Sequence, residues 1–199
     1  MVYTIHGWSF NKDIWMKTPF ANAFHLELPG HGNSPLQITN IYEVAKKFGK
    51  SIKSSSTVVG WSIGASVAIL MAVYFPEKIN KLILYSPTPL FCGMSQPEVI
   101  CKRFLKKLSR DFETTVTWFR KECGFSDIYP LPDKDKAIKL LESYMNLDLR
   151  NIIPEVFVKT DIIVGLKDEV TKLSGAFCCF SLFPFSSIKI FPDKFHFLF

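Results

Sequence analysis

The sequence predicts an α/β protein built on a mostly parallel sheet with helices on both faces. Short β-branched or alternating runs recur along the chain, with helical stretches between them. Those intervening helices are long enough to act as crossovers, which makes successive strands parallel. The third observation is Gly60-Trp61-Ser62-Ile63-Gly64, lying between a β-branched run and an apolar helix. In that setting Gly-x-Ser-x-Gly marks a sharp strand-to-helix turn that exposes the serine hydroxyl. Away from it the same pattern is an ordinary loop.

The chain has 199 residues, 48% of them hydrophobic and 21% charged, which suits one globular domain with a small insertion. Nineteen phenylalanines point to a greasy interior or an apolar pocket. The net charge of +6 fits either an acidic partner or a generally lysine-rich composition. No stretch reaches the ~18 apolar residues that span a bilayer. The N-terminus lacks the order of a signal peptide. Five cysteines without framework or metal spacing read as reduced thiols in a cytoplasmic protein.

Residues 1–5 alternate as a strand and run into His6-Gly7-Trp8-Ser9, a turn whose glycine permits unusual backbone angles. Residues 11–15 open a helix that Pro19 limits, and 23–28 alternate as a second strand. The breakers of Leu28-Pro29-Gly30-His31-Gly32-Asn33-Ser34-Pro35 make a loop. Apolar residues at 41, 44, 45, 48 and 52 give an amphipathic helix. The strand before Ser62 follows, then a helix apolar nearly all round that Phe75-Pro76 ends. Residues 81–85 form another strand.

Residues 91–150 are helical and basic and read as an inserted lid between two parts of the core, 1–90 and 151–199. Strand patterns return at 161–164 and 188–191. His6, the Pro29 loop, Ser62 and Ser86 all follow strands, so they gather at one edge of the sheet, where such folds keep their chemistry.

A serine hydroxyl needs a base within reach, and the chain has four histidines. His6 and His31 lie in turns and His25 in a strand, where structural roles are the default. His196, after the last strand, is the candidate base. Asp168, shortly after the preceding strand, is the candidate orienting carboxylate, with Glu169 beside it and a solvated turn as the plain alternative. The order Ser62, Asp168, His196 is the one this triad takes on an open α/β sheet. The backbone amides of Trp8 and Ile63 are the candidate oxyanion donors.

These motifs, together with Trp15 and Gly165-x-x-Asp168, resemble the α/β-hydrolase superfamily. Within it, Trp8 after His-Gly and the Gly-Trp-Ser elbow are similar to the pimeloyl-[acyl-carrier protein] methyl ester esterases of biotin synthesis. Ser86-Pro87 and Asp148-Leu149-Arg150 carry the same resemblance, which covers nearly the whole chain. It implies an α/β-hydrolase fold with a small helical lid and a serine carboxylesterase that frees pimeloyl-[acyl-carrier protein] and methanol. It also implies that Trp8, Ile63, Phe119, Arg120, Lys121, Glu122 and Cys123 line the acyl chain. The family's lid arginines do not align here, since Thr114 and Trp118 fall near two of them. Lys102, Arg103, Lys106, Lys107 and Arg110 are the substitutes for gripping the acyl-carrier protein, or else an ordinary solvated helix face. The expected protein is a monomer that uses no metal, no organic cofactor, no nucleic acid and no membrane. The alternatives are another small hydrolase, a menaquinone-pathway enzyme that uses its serine for elimination, or a binding relative without catalysis.

Overall fold

The computed structural model describes residues 1–125 and 129–199, so residues 126–128 of the turn-rich stretch lie outside the described residues. Six strands form one sheet: β1 (Val2–Ile5), β2 (Phe24–Leu26), β3 (Ser56–Trp61), β4 (Ile79–Tyr85), β5 (Lys159–Gly165) and β6 (Ser186–Phe191). Their order is β2-β1-β3-β4-β5-β6 and every pairing is parallel. The chain steps outward from β1 to β2, then returns to the other side of β1 as β3. That reversal opens a crevice beyond the carboxyl ends of β1 and β3, where open α/β sheets bind their ligands.

Helix α1 (Ile41–Ser51) buries Ile41, Val44, Ala45 and Phe48 along one face. Asn40 caps it, its side-chain oxygen accepting from the amides of Tyr42 and Glu43 at 3.0 and 3.2 Å. Helix α2 (Ile63–Tyr74) is buried from Ile63 to Ala72, as its apolar circumference requires. Between β4 and β5 lie α3 (Glu98–Arg110), α4 (Phe112–Glu122) and α5 (Lys134–Met145). Helix α6 (Lys172–Leu182) connects β5 to β6.

Two local expectations need correction, and one helix was not foreseen. Residues 11–15 make only a single 3-10 turn, Lys12–Trp15, which buries Ile14 and Trp15. The second strand is shorter than 23–28, because the Leu28 amide leaves the ladder to donate to His6 Nε2 at 3.0 Å. Helix α6 escaped notice because Ser, Gly, Phe and two adjacent cysteines are weak helix formers without a clear stripe. It buries Gly175, Ala176 and Cys179 against its neighbours, so tertiary packing decides its conformation.

The cysteines are also not all reduced. Cys92, after β4, is bonded to Cys101 in the first turns of α3, with their Cα atoms 6.3 Å apart. The chain folds back between them, the Gly93 amide donating to Gln96 O at 2.7 Å. A spacing of nine residues carries no motif that would reveal this. The cytoplasmic location expected from free thiols loses that support. Among the described residues, no helix is long and apolar enough to cross a membrane.

Candidate active site

Ser62 lies between β3 and α2 with φ 57° and ψ −123°, a left-handed conformation that a serine holds only when its surroundings impose it. The surroundings are tight. A side chain on Gly64 would come within 2.6 Å of the His6 carbonyl, and one on Gly60 within 2.6 Å of Ala65 Cα. Gly64 lets the elbow press against the end of β1, and Gly60 lets the start of α2 lie close on β3. The Ser62 amide donates to Tyr85 O at 2.9 Å, which anchors the turn to β4 as well.

Asp168 and His196 meet as the chain order anticipates. His196 Nδ1 donates to Asp168 Oδ2 at 2.8 Å, with both side chains essentially inaccessible to solvent. Asp168 accepts three further bonds: Oδ1 from the amides of Val170 and Thr171 at 2.9 and 3.0 Å, and Oδ2 from the Thr171 hydroxyl at 2.9 Å. Burial alone would raise its pKa. The facing imidazole, with the hydrogen bonds from it and from the Thr171 hydroxyl, reverses that and holds the carboxyl well below the usual range. Asp168 is therefore a carboxylate throughout the neutral range. Glu169, its exposed neighbour, is not part of this arrangement.

The donated proton fixes the His196 tautomer and leaves Nε2 as an acceptor. Nε2 is buried and has no hydrogen-bond partner among the described residues. The Ser62 hydroxyl therefore does not bond to it in this structure, a separation often seen in an unliganded site. The loop bearing His196 is held tightly. The Trp61 indole donates to the His196 carbonyl at 3.0 Å and its ring lies 5.4 Å from the imidazole. Gly165 lets the loop cross the end of β5, since a side chain there would meet the Phe195 carbonyl at 2.5 Å.

On the other side of Ser62, the turn after β1 rests on two buried histidines. His6 Nδ1 donates to Gly7 O at 2.8 Å while its Nε2 accepts from Leu28. His31 Nδ1 donates to Pro29 O at 2.8 Å while its Nε2 accepts from the Ser9 amide at 3.0 Å. Each ring needs one donor and one acceptor nitrogen, so each is neutral. Burial, and for His6 also the neighbouring His31, pushes the two pKa values down to about 3 and about 4.

A prediction follows for stability. The unfolded chain protonates both histidines near pH 6.5, whereas the native state resists to about pH 4 and below. The stabilisation is therefore complete above about pH 6.5 and drains away as pH falls towards the native values. Near pH 5 unfolding should take up about two protons, a slope of roughly 2–3 kcal/mol per pH unit. Urea melts between pH 6.5 and 5 measure this, and an unchanged midpoint would refute it.

Beside Ser62 is a cavity of about 240 Å³. Trp8, Ile63, Phe91, Phe104, Trp118 and Phe119 supply its aromatic and aliphatic walls, with Leu141, Tyr144, Met145 and Val170 completing them. Gln96, Glu122 and Glu169 are its polar members. Phe119 and Glu122 line it as expected, but Arg120, Lys121 and Cys123 do not. The reason is helical geometry: residues three apart share a face, while those between turn elsewhere. Cys123 is buried behind the wall and Lys121 is exposed. Arg120 is buried against the turn after β1. The α5 wall and Gln96 were not anticipated. Lys102, Arg103, Lys106, Lys107 and Arg110 are exposed along α3, outside the cavity. Lys107 lies 5.5 Å from the Trp118 ring centre.

A family model described as the alpha/beta hydrolase family matches residues 2–169. A protein of Vibrio atlanticus named pimeloyl-[acyl-carrier protein] methyl ester esterase is 25% identical over 222 residues, spanning 96% of this chain and 85% of its own. Among solved structures, a hydrolase from Oleispira antarctica superposes with a TM-score of 0.87 at 15% identity, covering 99% of this chain and 84% of that one. An esterase from Exiguobacterium antarcticum gives 0.86 at 19% identity, covering 98% and 84%.

Proposed function

This chain belongs to the alpha/beta hydrolase family, and we propose that it is a serine esterase acting on the methyl ester of a pimeloyl chain held on acyl-carrier protein. The observation that carries the ester chemistry is the buried Asp168–His196 pair, its free Nε2 at the sheet edge where Ser62 sits in a left-handed turn. His196 Nε2 takes the Ser62 proton as Oγ attacks the ester carbonyl. The amides of Trp8 and Ile63 receive the developing oxyanion. The proton passes from His196 to the leaving methoxide, methanol departs, and an acyl-serine remains. Water, deprotonated by the same imidazole, then releases the carboxylate and restores Ser62.

Support for the substrate comes from the name shared by the Vibrio relative and from the apolar cavity, which suits an aliphatic chain. Helices α3 to α5 serve as the lid in this reading. The exposed cations of α3 fit an acidic carrier better than a small neutral ester requires.

The test compares the carrier-linked methyl ester with the free dimethyl ester at low salt. Charge reversal at Arg103 and Lys107 is expected to lower kcat/KM about tenfold on the first and leave the second unchanged. A kcat/KM on the carrier-linked ester unchanged from that of the unaltered protein would remove the carrier contact. Failure to release methanol from it, with good turnover of short p-nitrophenyl esters, would point to a general esterase instead.

A further inference from the structure

We propose that Arg120 is a positioning residue: its guanidinium, held by three backbone carbonyls, fixes the turn bearing the Trp8 amide and so ties helix α4 to the oxyanion site. The inference rests on the serine-esterase reading of Ser62. Arg120 is 6% exposed, and its guanidinium donates to the carbonyls of Ser9, Tyr129 (2.7 Å) and Pro130 (2.9 Å). It also lies 5.5 Å from the Phe10 ring centre. Among the described residues it has no carboxylate partner. Burying a cation on neutral carbonyls is costly, and an aliphatic side chain would pack the same space without that cost.

What the cation holds explains its place. The Trp8 amide shares a peptide unit with the Gly7 carbonyl, which His6 Nδ1 fixes from one side. The next unit is fixed by the bond from the Ser9 amide to His31 Nε2, and the one after by Arg120 on the Ser9 carbonyl. Ser9 itself is left-handed at φ 71°, a conformation that relaxes unless both of its flanking peptides are held. Three successive peptide units around the proposed oxyanion donor are thus pinned by His6, His31 and Arg120. Only Arg120 comes from the helical insertion. Its neighbour Phe119 lines the cavity and packs edge-on against the Trp8 ring at 5.3 Å. One turn of α4 therefore builds the acyl wall with one residue and steadies the oxyanion turn with the next. A planar fork can reach carbonyls from separate segments at once, which a lysine ammonium does less well.

The oxyanion is common to all esters, whereas the acyl wall matters only to long chains. Arg120→Leu should therefore lower kcat roughly 10- to 100-fold on acetyl and heptanoyl p-nitrophenyl esters alike, with KM changed less than threefold. Added guanidinium ion should restore part of the loss. Arg120→Lys retains the charge and most of the stem, and should lose about tenfold in kcat; it decides the matter if the leucine variant does not fold. Unchanged kcat on the acetyl ester in either folded variant overturns the proposal. So does a loss confined to KM or to the long-chain ester, which would make Arg120 a support of the acyl wall. Absence of turnover by the unaltered protein would instead overturn the serine-esterase reading, and this inference with it.

Discussion

Ser62→Ala is expected to lower kcat roughly 10⁵- to 10⁶-fold, the loss typical when a nucleophile is deleted from a serine–histidine–aspartate set. The fold should survive, because the Ser62 side chain makes no capping bond to α2 and alanine differs little from serine in its strain at φ 57°. A thermal midpoint close to the parent, with no fluorophosphonate labelling, is the expected pair of results. Residual labelling of the variant, or retained turnover, would show that another group is the nucleophile. Ser66, one helical turn away, offers the comparison: its hydroxyl is wholly buried, so Ser66→Ala should label normally.

Asp168→Asn should cost about 10⁴ in kcat while leaving substrate affinity near its starting value. Oδ1 would still accept the Val170 and Thr171 amides, so the loop keeps its shape. The position facing His196 Nδ1 would become an amide unable to stabilise the imidazolium and able to favour the wrong tautomer. Glu169→Gln is the comparison: that side chain lines the cavity, whereas His196 pairs with Asp168, so any loss there should fall on KM and leave kcat within a few-fold. The two variants separate adjacent acids that sequence order alone leaves close together. A drop below tenfold for Asp168→Asn, or an equal drop for Glu169→Gln, would remove Asp168 from its role.

Much of this arrangement was legible because it is local. The left-handed elbow is written in Gly60, Ser62 and Gly64, and the loop at 28–35 in its breaker residues. Asp168 and His196 were found by their position after strands, which a parallel sheet converts into proximity. What was not legible depends on which face of a helix points where. Residues 119–123 form one contiguous stretch in sequence, yet only Phe119 and Glu122 reach the cavity. Arg120 was expected along the acyl chain with its neighbours, and no local signal announces that its guanidinium meets the carbonyl of Ser9, 111 residues away, together with those of Tyr129 and Pro130. The bond between Cys92 and Cys101 was equally hidden, since the turn that joins them has no recognisable spacing.

By itself the sequence determined the alternation of strands and helices, the strained serine turn, and the positions of Asp168 and His196 after successive strands. Each is a consequence of short-range periodicity, of breaker residues, or of small residues at a crossing. Only the tertiary structure decided that Gln96, Tyr144 and Met145 share a cavity with Ser62. It also turned the Trp61 indole onto the His196 carbonyl. Most of all, it moved Arg120 from the expected substrate surface to the Ser9 carbonyl, 111 residues away along the chain. The physical reason is that a helix spreads consecutive side chains around its axis, and packing alone selects which neighbour each one meets.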